Sequence, residues 1–371
     1  MLALMSLNAL VSAGPRMRIS VIVPVFNGAS TLATCLTAVE RARFEPMECI
    51  VVDDGSDDGS GQIAASFGCT VLSTGGRFGP ARARNLGVAA AGGDLLIFLD
   101  ADVAVHADAL QRIADRFGQN ADLDALIGSY DDSPTDPGFV SQFKNLMHSY
   151  VHHRGKPKAV TFWGGCGAVK SSVFRQHGGL DESYRRPSIE DIEFGFRLMH
   201  AGRKLALDPG IQCSHLKKWT FWGMVRTDVL QRGIPWTELI LRTRFLPDDL
   251  NLAWSQRISV ALMALLAVLL SAGLWQMANR QVPLAALAGV AGIPALIGAL
   301  NYPFQRFLLS RRGWGFSLLA FPLLLIYYFY CGLAFVLGLG SYAGGALAHH
   351  WRLPDGLGNV AKTRPESGEG L

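Results

Sequence analysis

Between Arg257 and His350 the chain carries five arginines (Arg257, Arg280, Arg306, Arg311 and Arg312) and no Asp, Glu or Lys. No other feature constrains the fold as strongly. The other 277 residues hold 59 of the 64 charged side chains, about 21%, close to the usual content of a soluble domain. The 371 residues therefore divide into a water-adapted N-terminal part and an apolar C-terminal part. Three apolar runs fill the latter: Ile258–Met277, Val282–Leu300 and Phe316–Leu339. Runs of about 20 residues match one bilayer crossing. The second is softened by Pro283, Pro294 and three glycines, and either spans or re-enters. A disordered chain is excluded by the 50% hydrophobic content.

Basic residues near the ends of apolar runs set orientation. Arg242, Arg244 and Arg257 precede the first run, a loop with Arg306, Arg311 and Arg312 separates the last two, and Arg280 alone lies between the first two. The N-terminal part and the Arg306–Arg312 loop are thus expected on the cytoplasmic side, with the C-terminal tail on the far side. Residues 216–257 mix seven basic and four acidic residues with Trp219, Phe221, Trp222 and Trp236. That composition suits a lipid headgroup layer better than nucleic acid, given the apolar run that follows. Met1–Val11 is apolar but short, and its charges, Arg16 and Arg18, come after it. A signal peptide has the reverse order, so residues 1–17 read as a disordered extension. The six cysteines form no CxxC pair or Cys/His cluster, which speaks against zinc and for free thiols in a reducing compartment.

From Arg18 onward, apolar strands alternate with helical spacing. Strands are expected at Ile19–Val23, Glu48–Val52, Thr70–Ser73 and Leu95–Leu99. Helices are expected from Ser30 to Arg43, capped by Ser30 or Thr31, at Gly61–Phe67 and at Ala81–Ala91. This alternation predicts an α/β unit around a mostly parallel sheet with right-handed crossovers. The acids fall where such a sheet uses them. Asp53 and Asp54 follow the second strand, and Asp100 and Asp102 follow the fourth. Carboxyl ends of parallel strands line the ligand crevice, and Asp-x-Asp supplies hard oxygens suited to Mg²⁺ or Mn²⁺. A lone pair of this kind also reads as turn chemistry. A polar middle segment with Asp131, Asp132, His148, His152 and His153 is expected to be a mobile loop on the acceptor side.

The ordered set of motifs resembles a family 2 inverting glycosyltransferase of the GT-A fold, from about Arg18 to His215. It comprises Pro24-Val-Phe-Asn27, Val52-Asp-Asp-Gly-Ser-Asp57, Gly79-Pro-Ala-Arg-Ala-Arg-Asn-Leu-Gly87, Leu99-Asp-Ala-Asp102, Gly164-Gly-Cys-Gly-Ala168 and Glu190-Asp191. The resemblance implies a Rossmann-like catalytic domain over residues 18–215. It is followed by an interfacial segment at 216–256, a transmembrane region of about three helices at 257–340 and a tail at 341–371. It implies that Pro24, Phe26, Asn27, Asp53 and Asp54 border the nucleotide. Arg82 and Arg84 would be its basic partners, although residues two apart on a helix cannot both face it. Asp102, with Asp100 and His215, would hold Mg²⁺ or Mn²⁺. Asp191 would be the base, with Glu190 as runner-up; Ser188–Glu193 also reads as a capped first helical turn.

The implied reaction moves a sugar from a nucleotide-sugar donor, UDP-linked by family precedent, to a hydroxyl of a lipid or lipid-linked glycan. It would take place at the cytoplasmic face of the cell (inner) membrane, within a multi-pass protein of cell-envelope glycan synthesis. The QxxRW motif of processive members is absent, with His215-Leu-Lys-Lys-Trp219 near its place, which argues against a long-chain polymer synthase. Two alternatives remain open. A polyprenyl-phosphate sugar synthase would need no base, and a non-catalytic nucleotide-sugar-binding membrane protein would not need the complete acidic set.

Overall fold

The computed structural model describes residues 17–344; the expectations for residues 1–16 and for the tail beyond 344 lie outside them. Strand β1 (Ile19–Val25), helix α1 (Ala29–Arg41), β2 (Met47–Asp53), α2 (Ser60–Ser66), β3 (Thr70–Ser73), α3 (Pro80–Ala90) and β4 (Leu95–Leu99) alternate as expected. Then come β5 (Val103–Val105), α4 (Ala109–Gln119), β6 (Ala125–Tyr130), α5 (Phe139–His153), β7 (Cys166–Lys170), α6 (Ser171–Gln176), α7 (Glu190–His200) and β8 (Leu205–His215). The eight strands form one sheet in the order β3-β2-β1-β4-β7-β6-β8-β5. Strands β3, β2, β1 and β4 run parallel, β7 runs against β4 and β6, and β8 runs parallel to β6. This is the α/β, Rossmann-like, mostly parallel sheet of the GT-A arrangement, followed by a helical region.

Alternation along β1 explains the layers. Val21 and Val23 face the core under α1 and α4, whereas Ile22 faces the core under α3 and α7. With both faces covered, the central strands β1 and β4 are buried along almost their whole length, as inner parallel strands are. The same strand directions bring the carboxyl ends of β1, β2, β4, β6 and β8 to one edge. Asp53, Asp100, Tyr130 and His215 therefore share that edge.

After β8 the chain forms α8 (Phe221–Arg226), a π-helical turn (Thr227–Gly233) and α9 (Ile234–Thr243). The three apolar helices are α10 (Trp254–Ala278), α11 (Leu284–Leu300) and α12 (Tyr302–Gly344). By length and composition, α10 and α12 could each cross a membrane. Helix α11 has 17 residues with Pro294 inside it, or about 25 Å of rise, short of a 30 Å hydrocarbon core.

Four sequence expectations need correction. Arg306, Arg311 and Arg312 are not in a loop: they lie on the first part of α12, which breaks at Gly313 (φ 80°). Most of the polar middle segment is not a mobile loop but α5, whose Phe143, Leu146 and Met147 are buried against the C-terminal helices. Trp219, expected at a headgroup layer, is buried in that same cluster, while Trp222 is exposed. Neither Ser30 nor Thr31 caps α1. Gly28 stands at its N-terminus, where Ser60 Oγ accepts from the Gly28 N–H and Asp58 from the Ala29 N–H.

Candidate active site

The acids at the strand ends divide into scaffold and site. Asp54 is buried, and the loop uses both of its oxygens. It accepts from the N–H groups of Phe78 (3.0 Å) and Gly79 (2.7 Å) and from the Thr74 hydroxyl (3.0 Å). Gly79 has φ +102°, and a Cβ there would meet the Arg185 backbone at 2.6 Å, so a side chain is excluded. Asp54 thus ties the loop before α3 to the end of β2, whereas Asp53 is only partly buried and accepts one N–H, from Ser56 (2.8 Å). Phe26 is exposed with Arg77 stacked 4.1 Å over its ring. Asn27, at φ 51°, accepts the Asp57 N–H, and Pro24 sits at the same strand end.

The two arginines of α3 diverge, as their spacing requires. Arg82 stacks on the Phe78 ring (4.1 Å). Arg84 is buried and forks between two carboxylates: Nη2 donates to Asp100 Oδ1 (2.6 Å) and Nη1 to Glu190 Oε1 (2.9 Å). It therefore faces acids across the crevice, not open space. Burial alone would discharge it, but Asp100, Glu190 and Asp191 hold it firmly protonated. Gly164 packs against it, since a Cβ there would lie 3.0 Å from the guanidinium carbon. The Gly164 N–H then donates to Asp191 Oδ2 (2.8 Å).

Asp191 and Glu190 open α7. Burial raises the proton affinity of both carboxyls, against the pull of Arg84. The expected cap is absent, because the Ser188 hydroxyl donates to the Gln231 carbonyl (2.8 Å) and the Ser188 N–H donates to Glu190 Oε2 (3.0 Å).

Asp102 lies across from the end of β8. Its carbonyl accepts the Leu216 N–H (2.8 Å), and its Oδ2 is 3.7 Å from His215 Nε2. That separation is too long for a hydrogen bond. The tautomer of His215 follows from its neighbours. The Trp219 indole N–H can only donate, and it points at Asn145 Oδ1 (3.1 Å). The same oxygen is 2.7 Å from His215 Nδ1, so Nδ1 carries a proton. In the neutral ring, Nε2 then presents a lone pair toward the Asp102 carboxylate. Two electron-pair donors facing one another fit a shared cation. No group of three or more metal-ligating side chains is present among the described residues.

Tyr130 stacks on the His215 ring (4.4 Å) and lies edge-on to Trp163 (4.6 Å). His148 is near both Tyr130 and His215, and burial holds it well below the ordinary imidazole range. Sequence reasoning missed Asn145 and Tyr130, because nothing in their spacing announces a contact with a strand end 70 or more residues away.

Residues 20–178 match the sequence model described as Glycosyl transferase family 2. The pre-mycofactocin glycosyltransferase of Mycobacterium tuberculosis is 31% identical over 225 residues, covering 54% of this chain and 43% of that protein. Glycosyltransferase GlyG of Streptococcus pneumoniae is 32% identical over 117 residues, covering 30% of this chain and 38% of that protein. The chain thus spans less than half the length of these curated relatives. Among solved structures, the mannosyltransferase PcManGT of Pyrobaculum calidifontis aligns over 88% of this chain and 87% of its own, with a TM-score of 0.48 and 16% identity. S. aureus TarS 1-349 aligns over 89% and 92%, with a TM-score of 0.48 and 17% identity. The matched segment, residues 20–178, lies over the sheet with its motifs at the strand ends described above, and it is this segment that is similar to glycosyl transferase family 2.

Proposed function

We propose that this protein is a membrane-anchored, metal-dependent inverting glycosyltransferase. It moves a sugar from a nucleoside-diphosphate sugar, UDP-linked by family precedent, to a hydroxyl of a lipid or lipid-linked glycan. One observation carries the reading: Arg84 joins Asp100, on the donor side, to Glu190, on the acceptor side, with Asp191 beside them. Donor and acceptor chemistry therefore share one buried node.

In this reading Pro24, Phe26, Asn27 and Asp53 border the nucleotide, Asp54 holds the loop that shapes its pocket, and Arg82 stays at the rim. Asp102 and His215 hold Mg²⁺ or Mn²⁺ together with Asp100, and the imidazole nitrogen favours Mn²⁺. When bound, such an ion neutralises charge on the departing diphosphate. Asp191 accepts the proton of the acceptor hydroxyl as the oxygen bonds to the anomeric carbon and the bond to the diphosphate breaks. Buried beside Arg84, it can remain ionised yet basic. Glu190, fixed by Arg84 and the Ser188 N–H, orients that arginine.

Membrane anchoring is supported by α10 and α12. Sidedness is supported by Arg311 and Arg312. They pair with Asp132 (2.8 Å) and donate to Gln142 (2.7 Å) on the sheet domain, so the basic end of α12 lies on the domain's side. By the charge rule that side is cytoplasmic.

The test is nucleoside diphosphate release by purified protein with Mg²⁺ or Mn²⁺ across nucleotide sugars and lipid extracts. Asp102→Ala and Asp191→Asn should each cut turnover by about 10²–10⁴-fold while the protein stays folded; full turnover in both would overturn the assignment. The base must be ionised to act, and burial raises the Asp191 pKa above its ordinary value of 3.8. The wild-type rate should therefore fall as pH drops through a pKa above that value.

A further inference from the structure

A second charged node lies where the π-helical turn meets α5 and α12, and its balance is the reverse of the first. Asp228 is buried and fully engaged. Lys144 Nζ donates to both of its oxygens (2.8 and 2.6 Å), and the Tyr330 hydroxyl donates to Oδ2 (2.8 Å). Arg232, one turn on, reaches the same carboxylate only at 3.9 Å. Its side chain is 40% exposed, and its Nη1 lies 3.2 Å from His148 Nε2. His148 in turn packs near Tyr130 and His215, so one imidazole stands between Arg232 and His215. Lys217 is two residues past His215 and half-buried, and its ammonium rests 4.4 Å over the Trp219 ring. Among the described residues, no carboxylate lies within ion-pair distance of it. Arg232, Asp102 and Asp100 all act on its charge. Lys144 thus takes up Asp228, while Arg232, at His148, and Lys217, over Trp219, both border the ring cluster of His148, Trp219 and His215.

We propose that Arg232 and Lys217 form a seat for a phosphoryl group of a substrate, next to Asp102 and His215. A guanidinium that shares Asp228 with Lys144, and an ammonium with no carboxylate at ion-pair distance among the described residues, supply the positive charge that a phosphate needs. The Ser188–Gln231 bond joins this turn to the segment leading into Glu190 and Asp191. Tyr330 joins it to α12. The seat therefore lies between the acceptor acids and the apolar helices, within reach of a phosphate that links a glycan to a lipid. The donor's diphosphate offers the same chemistry from the other side. The inference rests on the glycosyltransferase reading for its substrates, but its test is a binding measurement that needs no turnover.

Affinities should be measured for UDP and GDP with Mn²⁺ against uridine and guanosine. A polyprenyl monophosphate in detergent micelles should be compared with the matching polyprenol. Arg232→Gln and Lys217→Gln should each weaken at least one phosphate-bearing probe by about tenfold or more and leave its phosphate-free counterpart unchanged. Arg232→Lys should recover most of the loss. A loss confined to the polyprenyl phosphate assigns the seat to the acceptor, and one confined to the nucleotides assigns it to the donor. The proposal is overturned if folded variants bind every probe as the wild type does. It is also overturned if the phosphate-free counterparts weaken equally, or if the wild-type protein does not prefer the phosphate-bearing member of either pair.

Discussion

The Arg84 node and the Asp228 node are mirror images. In the first, one buried guanidinium stands among Asp100, Glu190 and Asp191. In the second, one buried carboxylate stands among Lys144, Tyr330 and Arg232. Each is held between elements distant in sequence: α3 with β4 and α7, and α5 with α12 and the π-helical turn. Each also carries more of one charge than it can neutralise internally. The surplus is negative where a proton or a metal ion would be received, and positive where a phosphate would be. A buried ion pair is weak evidence for stability, and the unmatched charge at each node is what the proposed roles draw on.

The largest effect should come from breaking the acidic node at its centre. Arg84→Met leaves carboxylates buried without their counter-charge, which should cost about 3–5 kcal/mol. Transfer should be lost as well, and the loss of stability should show in denaturant unfolding at neutral pH. The destabilisation should shrink as pH falls, because protonation removes the uncompensated charge. A penalty that stays the same as pH falls would mean that Arg84 acts by packing alone.

The basic node should give a smaller loss. Asp228→Asn keeps hydrogen-bonding capacity for Lys144 and Tyr330 but removes the negative charge, at about 3 kcal/mol. Thermal unfolding of the Lys144→Met/Asp228→Leu double variant should lie closer to wild type than either single variant does. If the two losses simply add, the pair is not a coupled unit.

The smallest effect concerns orientation. Asn145→Leu removes the acceptor that holds the Nδ1 proton of His215. Mn²⁺ affinity should weaken about tenfold, with stability nearly unchanged apart from the unpaired Trp219 N–H. Unaltered Mn²⁺ binding would separate His215 from the metal site.

Much of the sheet was legible because parallel strands are apolar runs and their acids sit at the ends. Asp53 and Asp100 could be named from their place at strand ends, and the Glu190-Asp191 pair only through the family resemblance. The role of Asp54 could not, because its partners are backbone N–H groups that any sequence supplies. Helix α5 was hidden by its polar neighbours. Asp131, Asp132 and three histidines suggested a loop, yet Val140, Phe143, Met147 and Tyr150 recur at helical spacing on a face that packs against α12 and its neighbours. The start of α1 was misjudged because its first N–H groups are satisfied by Asp58 and Ser60, about 30 residues away. Local rules see local caps. The Lys144–Asp228 pair spans 84 residues and leaves no local signature.

The arginines of α12 have one more consequence. Arg312 grips Gln142 and the Asp132 carbonyl, Arg311 grips the Asp132 side chain, and Tyr330 holds Asp228 from the other side of the Gly313 break. A catalytic head hung on a loose tether samples a cap of space and can dip toward whatever it modifies. A head clamped at two heights on one helix has no such reach. On the proposed reading, with α12 in a membrane and a lipid-linked acceptor, that clamp fixes the height of the site over the bilayer. Long and short acceptors would then differ in whether their reactive end rises to that height, which makes the clamp a ruler for the substrate's stem.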